Sequence, residues 1–227
     1  MSYNFNWSVL WTGQSGSWLI QGVLTTLHIF ALGLLIAIAL GIVAGALRTM
    51  PFAPLRWLAG GYVEFFRNVP LLVWMFFWYF GVPPLLPQAI QNWLFDHGVE
   101  FWAGVFAIGV YHGARFSEVI RAGIQSIPKL EAALSTGLTI GQAYRLIIVP
   151  IALRLIIPPA TNEIVNLLKN SSVALTIGVA ELTFQTRQIE TYTARAFEAL
   201  AAGTIIYLIL CLAIASIMAG VERRVAI

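Results

Sequence analysis

The chain is written as long apolar runs separated by short polar ones. The first run covers about 19–47 and is long enough to cross a hydrocarbon layer of roughly 30 Å. Gly33, Gly41 and Gly45 recur within it at eight- and four-residue spacing. They fall on one helix face, where a neighbouring helix can approach closely. A second span is expected over 57–80, interrupted by Glu64, Arg67, Asn68 and Pro70. Glu64 and Arg67, three apart, can pair on one face and so lower their cost in lipid. Residues 82–98 read as a proline-rich loop, and 101–123 as a third span. Arg115, Glu118 and Arg121 follow one another there at three-residue spacing, a self-neutralising ladder. A fourth span runs from near Ile147 to about Leu168 and carries Pro150, Pro158 and Pro159. Proline removes a backbone donor and clashes with the preceding turn, so this helix is expected to be broken and to line a cavity. The run 173–179 is too short to span. Residues 181–198 are polar and read as a surface segment, and 199–221 form a clean fifth span.

Composition fixes the solvent. Of 227 residues 59% are hydrophobic and 10% charged, with a mean hydropathy of +0.82. Soluble domains carry about 25% charged residues. So few charges cannot solvate a globule, and the pattern predicts an all-α integral membrane protein of about five transmembrane helices. The net charge of +3 is not gathered into a basic run, which argues against a nucleic-acid partner. Cys211 stands alone, so there is no disulfide framework. The first 47 residues contain no Lys, Arg, Asp or Glu, and no cleavable signal peptide is expected. With the N-terminus outside, Arg48, Arg56, Arg121, Lys129, Arg145, Arg223 and Arg224 fall on the cytoplasmic side and only Arg187 and Arg195 on the outer side. That balance predicts an outer N-terminal segment, 1–18, whose Trp7, Trp11 and Trp18 suit an interface. A membrane domain follows over 19–227, and the C-terminus is cytoplasmic.

One stretch does not fit a span. Residues 131–150, EAALSTGLTIGQAYRLIIVP, are polar and helix-forming between apolar neighbours. Gly137 permits a tight turn, and Thr139 is placed to cap a helix from Ile140, so two short helices would make a compact knob. Glu131, Ala132, Ala133, Gly137, Ile147 and Pro150 resemble the EAA loop of ABC-importer permeases, with Val149 where the family has Leu. YVEFFRNVPL from Tyr62, RAGIQSIP from Arg121, NLLKNSS from Asn166 and TIGV from Thr176 resemble the polar amino-acid branch of these permeases. FRNVPL and the IPP segment before Asn162 look most like glutamate/aspartate importers. Relatives usually carry Gly-Gln before the EAA segment. Here Lys129 runs straight to Leu130 and Glu131, so the link to the knob is two residues shorter.

The resemblance implies a type I importer permease (MetI-like) fold with a periplasmic N-terminus. It also implies two ATPase subunits docked on the knob, a second permease subunit (a related heterodimer partner) and a periplasmic amino-acid-binding protein. The setting would be the bacterial inner membrane. ATP would be bound by the partner, since this chain lacks a GxxxxGK[ST] phosphate loop. No cofactor or metal is expected, and no catalytic residue. Glu131 would pair with a basic residue of the ATPase socket.

For the substrate pathway the candidates are Asn162, Glu163 and Asn166, with Glu163 facing the substrate ammonium. Arg154 and Lys169 are candidates for its carboxylates, since arginine can grip one bidentately. Glu64, Arg67, Arg115, Glu118 and Arg121 read as structural pairs. His28 and His112 lack a second metal ligand nearby, and His97 falls in the outer loop. Import of histidine, arginine or glutamine is the alternative within the family. A membrane-embedded enzyme or a passive channel is the alternative outside it.

Overall fold

The computed structural model describes residues 4–126 and 137–225, and among these every regular element is helical. The helices are α1 (Ser15–Leu47), α2 (Ala53–Arg67), α3 (Leu71–Phe76), α4 (Gln88–Asp96), α5 (Val99–Gln125), α6 (Ile140–Ala143), α7 (Val149–Asn170), α8 (Leu182–Thr193) and α9 (Ala196–Val225). Wide π turns occupy Phe77–Gly81 and Tyr144–Ile148, and a 3-10 segment occupies Ser171–Ile177. Three stretches are both long and apolar enough to cross a membrane: Ser15–Leu47, Gly141–Ile177 and Ala196–Val225. A shorter apolar helix covers Leu71–Gly81, and α5 is 27 residues long, sufficient by length alone.

Three expectations need correction. The second span is not one helix: α2 ends at Arg67 with Asn68 as its C-cap, and α3 restarts at Leu71 behind Pro70. Proline pushes the residue before it out of the helical region, which separates the two pieces. Conversely, the fourth span is not broken at its double proline, because Pro158 and Pro159 lie inside continuous α7. The irregularity comes earlier, in the π turn just before Pro150. A wide turn there relieves the clash that a proline ring makes with the carbonyl four residues back. Third, the loop over 82–98 contains a nine-residue helix, α4, whose Gln88 and Asn92 side chains bond one turn apart at 2.9 Å.

The chain divides into two compact units, and α1, α5, α7 and α9 each contribute residues to both. The first comprises Met1–Leu35, Val69–Gly109 and Asn166–Ala213. Its interior holds Ile29, Met75, Ile108, Leu167, Leu168, Leu182 and Ile189, all buried. The polar segment 181–198 forms α8, which buries Leu182, Gln185, Thr186 and Ile189 along one face. Glu181 caps it, accepting the backbone N–H groups of Thr183 (2.9 Å) and Phe184 (2.8 Å) and the Tyr207 hydroxyl (2.6 Å). Burial pushes the Glu181 carboxyl above its usual range, against the pull of those hydrogen bonds. The aromatic N-terminal segment is tied in as well. Phe5 and Trp7 pack on Phe197, and the Asn6 amide donates to Glu198 at 2.7 Å.

The second unit comprises Ile36–Asn68, Val110–Val165 and Ile214–Ile227. Its core is built from small residues, Ala44, Ala59, Val63 and Ala114, bordered by Leu47, Tyr62 and Phe66. Small side chains let α1, α2 and α5 come close. A Cβ placed on Gly41 would lie 2.5 Å from the Phe116 Cβ, and one on Gly45 would lie 2.9 Å from the Ile120 Cβ. The glycine face read from the sequence is thus the α1 surface against α5. Gly60, by contrast, has nothing within 4 Å of an added Cβ. Gly41→Leu is therefore expected to destabilise the protein by about 1–3 kcal/mol or more through overpacking. Gly60→Ala should leave it unchanged or slightly more stable. Thermal unfolding of the two variants in detergent checks this, and equal melting temperatures would refute the close-contact reading.

Candidate functional site

The second unit carries two clusters of charge. In the first, Glu118 on α5 gathers three arginines. Arg48 Nη1 contacts its Oε1 at 2.5 Å, Arg67 Nη1 reaches the same oxygen at 3.1 Å, and Arg121 Nη2 meets Oε2 at 2.8 Å. The expected Glu118–Arg121 rung is present. Arg67, however, pairs with α5 rather than with Glu64, which accepts instead from the Asn68 amide at 3.1 Å. One carboxylate therefore fastens the end of α1, the end of α2 and α5 together. Glu118→Gln would leave three guanidinium groups without their shared anion. Glu118 retains 21% side-chain exposure, so the loss should fall below that of a fully buried pair, at about 2 kcal/mol. Adding Arg48→Gln should recover part of it, a coupling readable by a double-mutant cycle on unfolding.

The second cluster joins α5 to α7. Arg115 Nε donates to Glu163 Oε2 at 2.9 Å, and His112 Nδ1 lies 3.4 Å from the same oxygen. His112 is fully buried, Glu163 nearly so at 12% side-chain exposure, and Arg115 remains 38% exposed. Tyr111 supports the guanidinium, whose central carbon lies 5.9 Å from the ring centroid. His112 and Arg115 are one turn apart on α5, so one helix face presents both to Glu163. Sequence reasoning passed over His112 as an isolated histidine and placed Arg115 in a ladder along its own helix. The 112/115 spacing was the available signal, but the partner across the bundle was not visible from it.

The other pathway candidates share α7 but not this cluster. Asn162 is exposed and Asn166 half-buried. Lys169 is exposed and makes no ion pair among the described residues. Arg154 precedes Glu163 by nine residues, two and a half turns, which puts the two on opposite faces of α7. Its Nε donates instead to the Val225 carbonyl at the end of α9, at 2.8 Å. No group of three or more metal-ligating side chains occurs among the described residues.

Of the knob, Glu131, Ala132 and Ala133 lie outside the described residues. Gly137 has φ +83°, a left-handed backbone that glycine adopts without strain. Thr139 does cap the following turn. Its hydroxyl accepts from the Gln142 amide at 3.4 Å, and the Gln142 side chain accepts the Thr139 amide at 3.0 Å, a reciprocal capping box. The second helix of the knob is not separate from the fourth span. Ile140–Ala143 passes through the π turn Tyr144–Ile148, where Ile147 is half-buried, into α7, whose second residue is Pro150.

The binding-protein-dependent transport system inner membrane component family matches residues 37–227. The chain is 38% identical to the glutamate/aspartate import permease protein GltJ of Escherichia coli K12, over 99% of this chain and 96% of that one. It is a permease subunit of the amino-acid ABC importer family. Its relatives include the glutamine transport system permease protein GlnP of E. coli K12, 35% identical over 98% of this chain and 99% of GlnP. The arginine transport system permease protein ArtQ of Bacillus subtilis is 33% identical over 91% of each. Among solved structures, an amino-acid ABC transporter crystallised with histidines superposes with a TM-score of 0.81 at 31% identity, covering 99% of this chain and 100% of that one. The methionine transporter MetNI shares the fold at a TM-score of 0.74 and 19% identity, over 94% of this chain and 99% of its own. As a permease of this family the chain is a membrane protein and not an enzyme, and it works with ATPase and binding-protein partners.

Proposed function

We propose that this permease subunit imports an acidic amino acid, glutamate or aspartate. The observation that carries the reading is the state of the Arg115–Glu163 pair. Glu163 is already engaged by Arg115 and approached by His112, while Arg115 keeps more than a third of its side chain exposed. A cationic substrate would need an uncommitted carboxylate here, and Glu163 does not offer one. A second carboxylate on the substrate would meet the open side of the Arg115 guanidinium, which retains donors beyond the Nε–H given to Glu163. Similarity to a glutamate/aspartate permease supports this reading. Similarity to glutamine and arginine permeases makes those the alternatives. In this proposal Arg115 recognises substrate with Glu163 as its positioning partner, Asn162 and Asn166 line the path, and Arg154 and Lys169 stand outside it.

The remaining assignments follow the charge balance and the 131–150 segment. The N-terminus is periplasmic, the C-terminus cytoplasmic and the setting the inner membrane. Two ATPases dock on the knob, a related second permease completes the pathway and a periplasmic binding protein delivers substrate. Reconstitution with the ATPase, the second permease and the binding protein tests both halves. Arg115→Gln should lower the ratio of glutamate to glutamine uptake roughly tenfold or more, the scale of a hydrogen bond to a charged group, and Arg115→Lys should restore part of it. An unchanged ratio would sink the substrate assignment. Gly137→Val, which forces a β-branched residue into a left-handed backbone, should abolish both uptake and substrate-stimulated ATP hydrolysis in a complex that still assembles. Uptake that persists at full rate would refute the knob as the coupling element.

A further inference from the structure

The second unit contains a cleft of about 490 Å³ that the transport reading does not use. Its polar edge is formed by Arg154 of α7 with Glu222 and Arg223 of α9, and its apolar wall by Ile157, Pro158 and Ala219. The charges at the edge are not mutually cancelled. Glu222 accepts from the Thr161 hydroxyl at 2.7 Å, and Arg154 spends only its Nε–H, on the Val225 carbonyl. Arg223 makes no ion pair among the described residues. Two guanidinium groups therefore border the cleft against one carboxylate, with both terminal nitrogens of Arg154 uncommitted among the described residues.

The depth of the cleft decides what kind of anion suits it. The uncharged part of α9 ends at Val221, so Glu222 and Arg223 mark where the span leaves hydrocarbon. Ala219 lies four residues earlier than Arg223, about 6 Å further along the axis toward the apolar part of the span. A cationic rim above an apolar wall matches an amphiphile, with a phosphodiester at the rim and the beginning of an acyl chain against Ile157, Pro158 and Ala219. Pro158 contributes in a second way. Lacking an N–H, it leaves the Arg154 carbonyl without its α-helical donor, and such a backbone group is tolerated at membrane depth where it borders a cavity. We infer that the Arg154–Arg223 cleft binds the headgroup phosphate of an anionic glycerophospholipid. This site is independent of the substrate assignment and rests only on the chain being a membrane permease.

Native mass spectrometry of the purified permease, exchanged from detergent into mixtures of phosphatidylcholine and phosphatidylglycerol, tests it. The wild type should retain phosphatidylglycerol in preference to phosphatidylcholine. Each arginine contributes on the scale of one charge near an anionic surface, so Arg154→Gln or Arg223→Gln should weaken retention roughly fivefold, and the double variant roughly thirtyfold. Ala219→Trp keeps both cations and fills the apolar wall, and it should also lower retention. Its melting temperature, beside that of the double variant, separates lost binding from lost fold. Retention of phosphatidylglycerol by a folded double variant at the wild-type level overturns the proposal. So does equal displacement of the lipid by soluble glycerol phosphate, which would make the cleft a simple phosphate site. If the double variant retains lipid but no longer associates with its ATPase, the cleft is a protein contact and the lipid assignment is wrong.

Discussion

A charged side chain drawn between packed helices must find an opposite charge, and that requirement organises the second unit of this permease. Desolvation penalises the ion, and the penalty is offset only when a partner stands within hydrogen-bond reach. Glu118 meets it with Arg48, Arg67 and Arg121, and Glu163 with Arg115 beside His112. Because these partners come from different helices, neutralising the charges also fixes which helices are neighbours. Apolar packing alone specifies this weakly in a membrane, since lipid tails are as good a solvent for leucine as another helix. The electrostatic bonds carry positional information that the aliphatic surface lacks.

Close backbone approach makes those bonds possible. The guanidinium of Arg48 reaches Glu118 only if α1 lies near α5, and Gly41 and Gly45 remove the side chains that would hold the two apart. Tyr62 contributes from α2, its hydroxyl donating to the Val110 carbonyl at 2.7 Å, and Gly113 leaves the space that this hydroxyl occupies. Small residues and ion pairs thus act together. The first permit contact, and the second make one particular contact favourable.

This division explains what was legible in the chain. The apolar runs, the glycine face, the Glu118–Arg121 rung and the Thr139 cap are properties of local spacing along one helix, and each was readable. The partners of Arg67 and Arg115 were not. An i,i+3 pair and a bond to a neighbouring helix satisfy the same electrostatic demand, and spacing cannot say which is shorter. For Arg67 the neighbour won because Glu118 offers a half-buried carboxylate, whereas Glu64 is exposed. The proline expectation failed for a related reason. Pro158 and Pro159 each delete one backbone bond, to the carbonyls of Arg154 and Leu155, but the turns on either side keep theirs and the helix stays continuous. Helix α4 was hidden by the prolines at 83, 84 and 87, which mark its approach and not its body.

The continuity of helix from Ile140 to Asn170 bears on coupling. Had the knob been a pair of short helices hung from the fourth span, movement of the knob could be absorbed in the joint between them. Instead the capped turn at Thr139 leads through one π turn into α7, the helix that carries Glu163. A helix transmits displacement along its axis with little loss, because compressing it means breaking hydrogen bonds in series. The compliant points are then Gly137, with its left-handed backbone, and the wide turn before Pro150. Under the coupling proposed above, a push on the knob turns about Gly137 and arrives at α7 as a shift or rotation of Glu163 against Arg115. A bond of 2.9 Å to a fixed guanidinium is sensitive to displacements of an ångström or less. The Arg115–Glu163 pair is therefore placed where a movement driven from outside the membrane domain would alter how strongly the guanidinium holds a carboxylate, whether its own partner's or a substrate's.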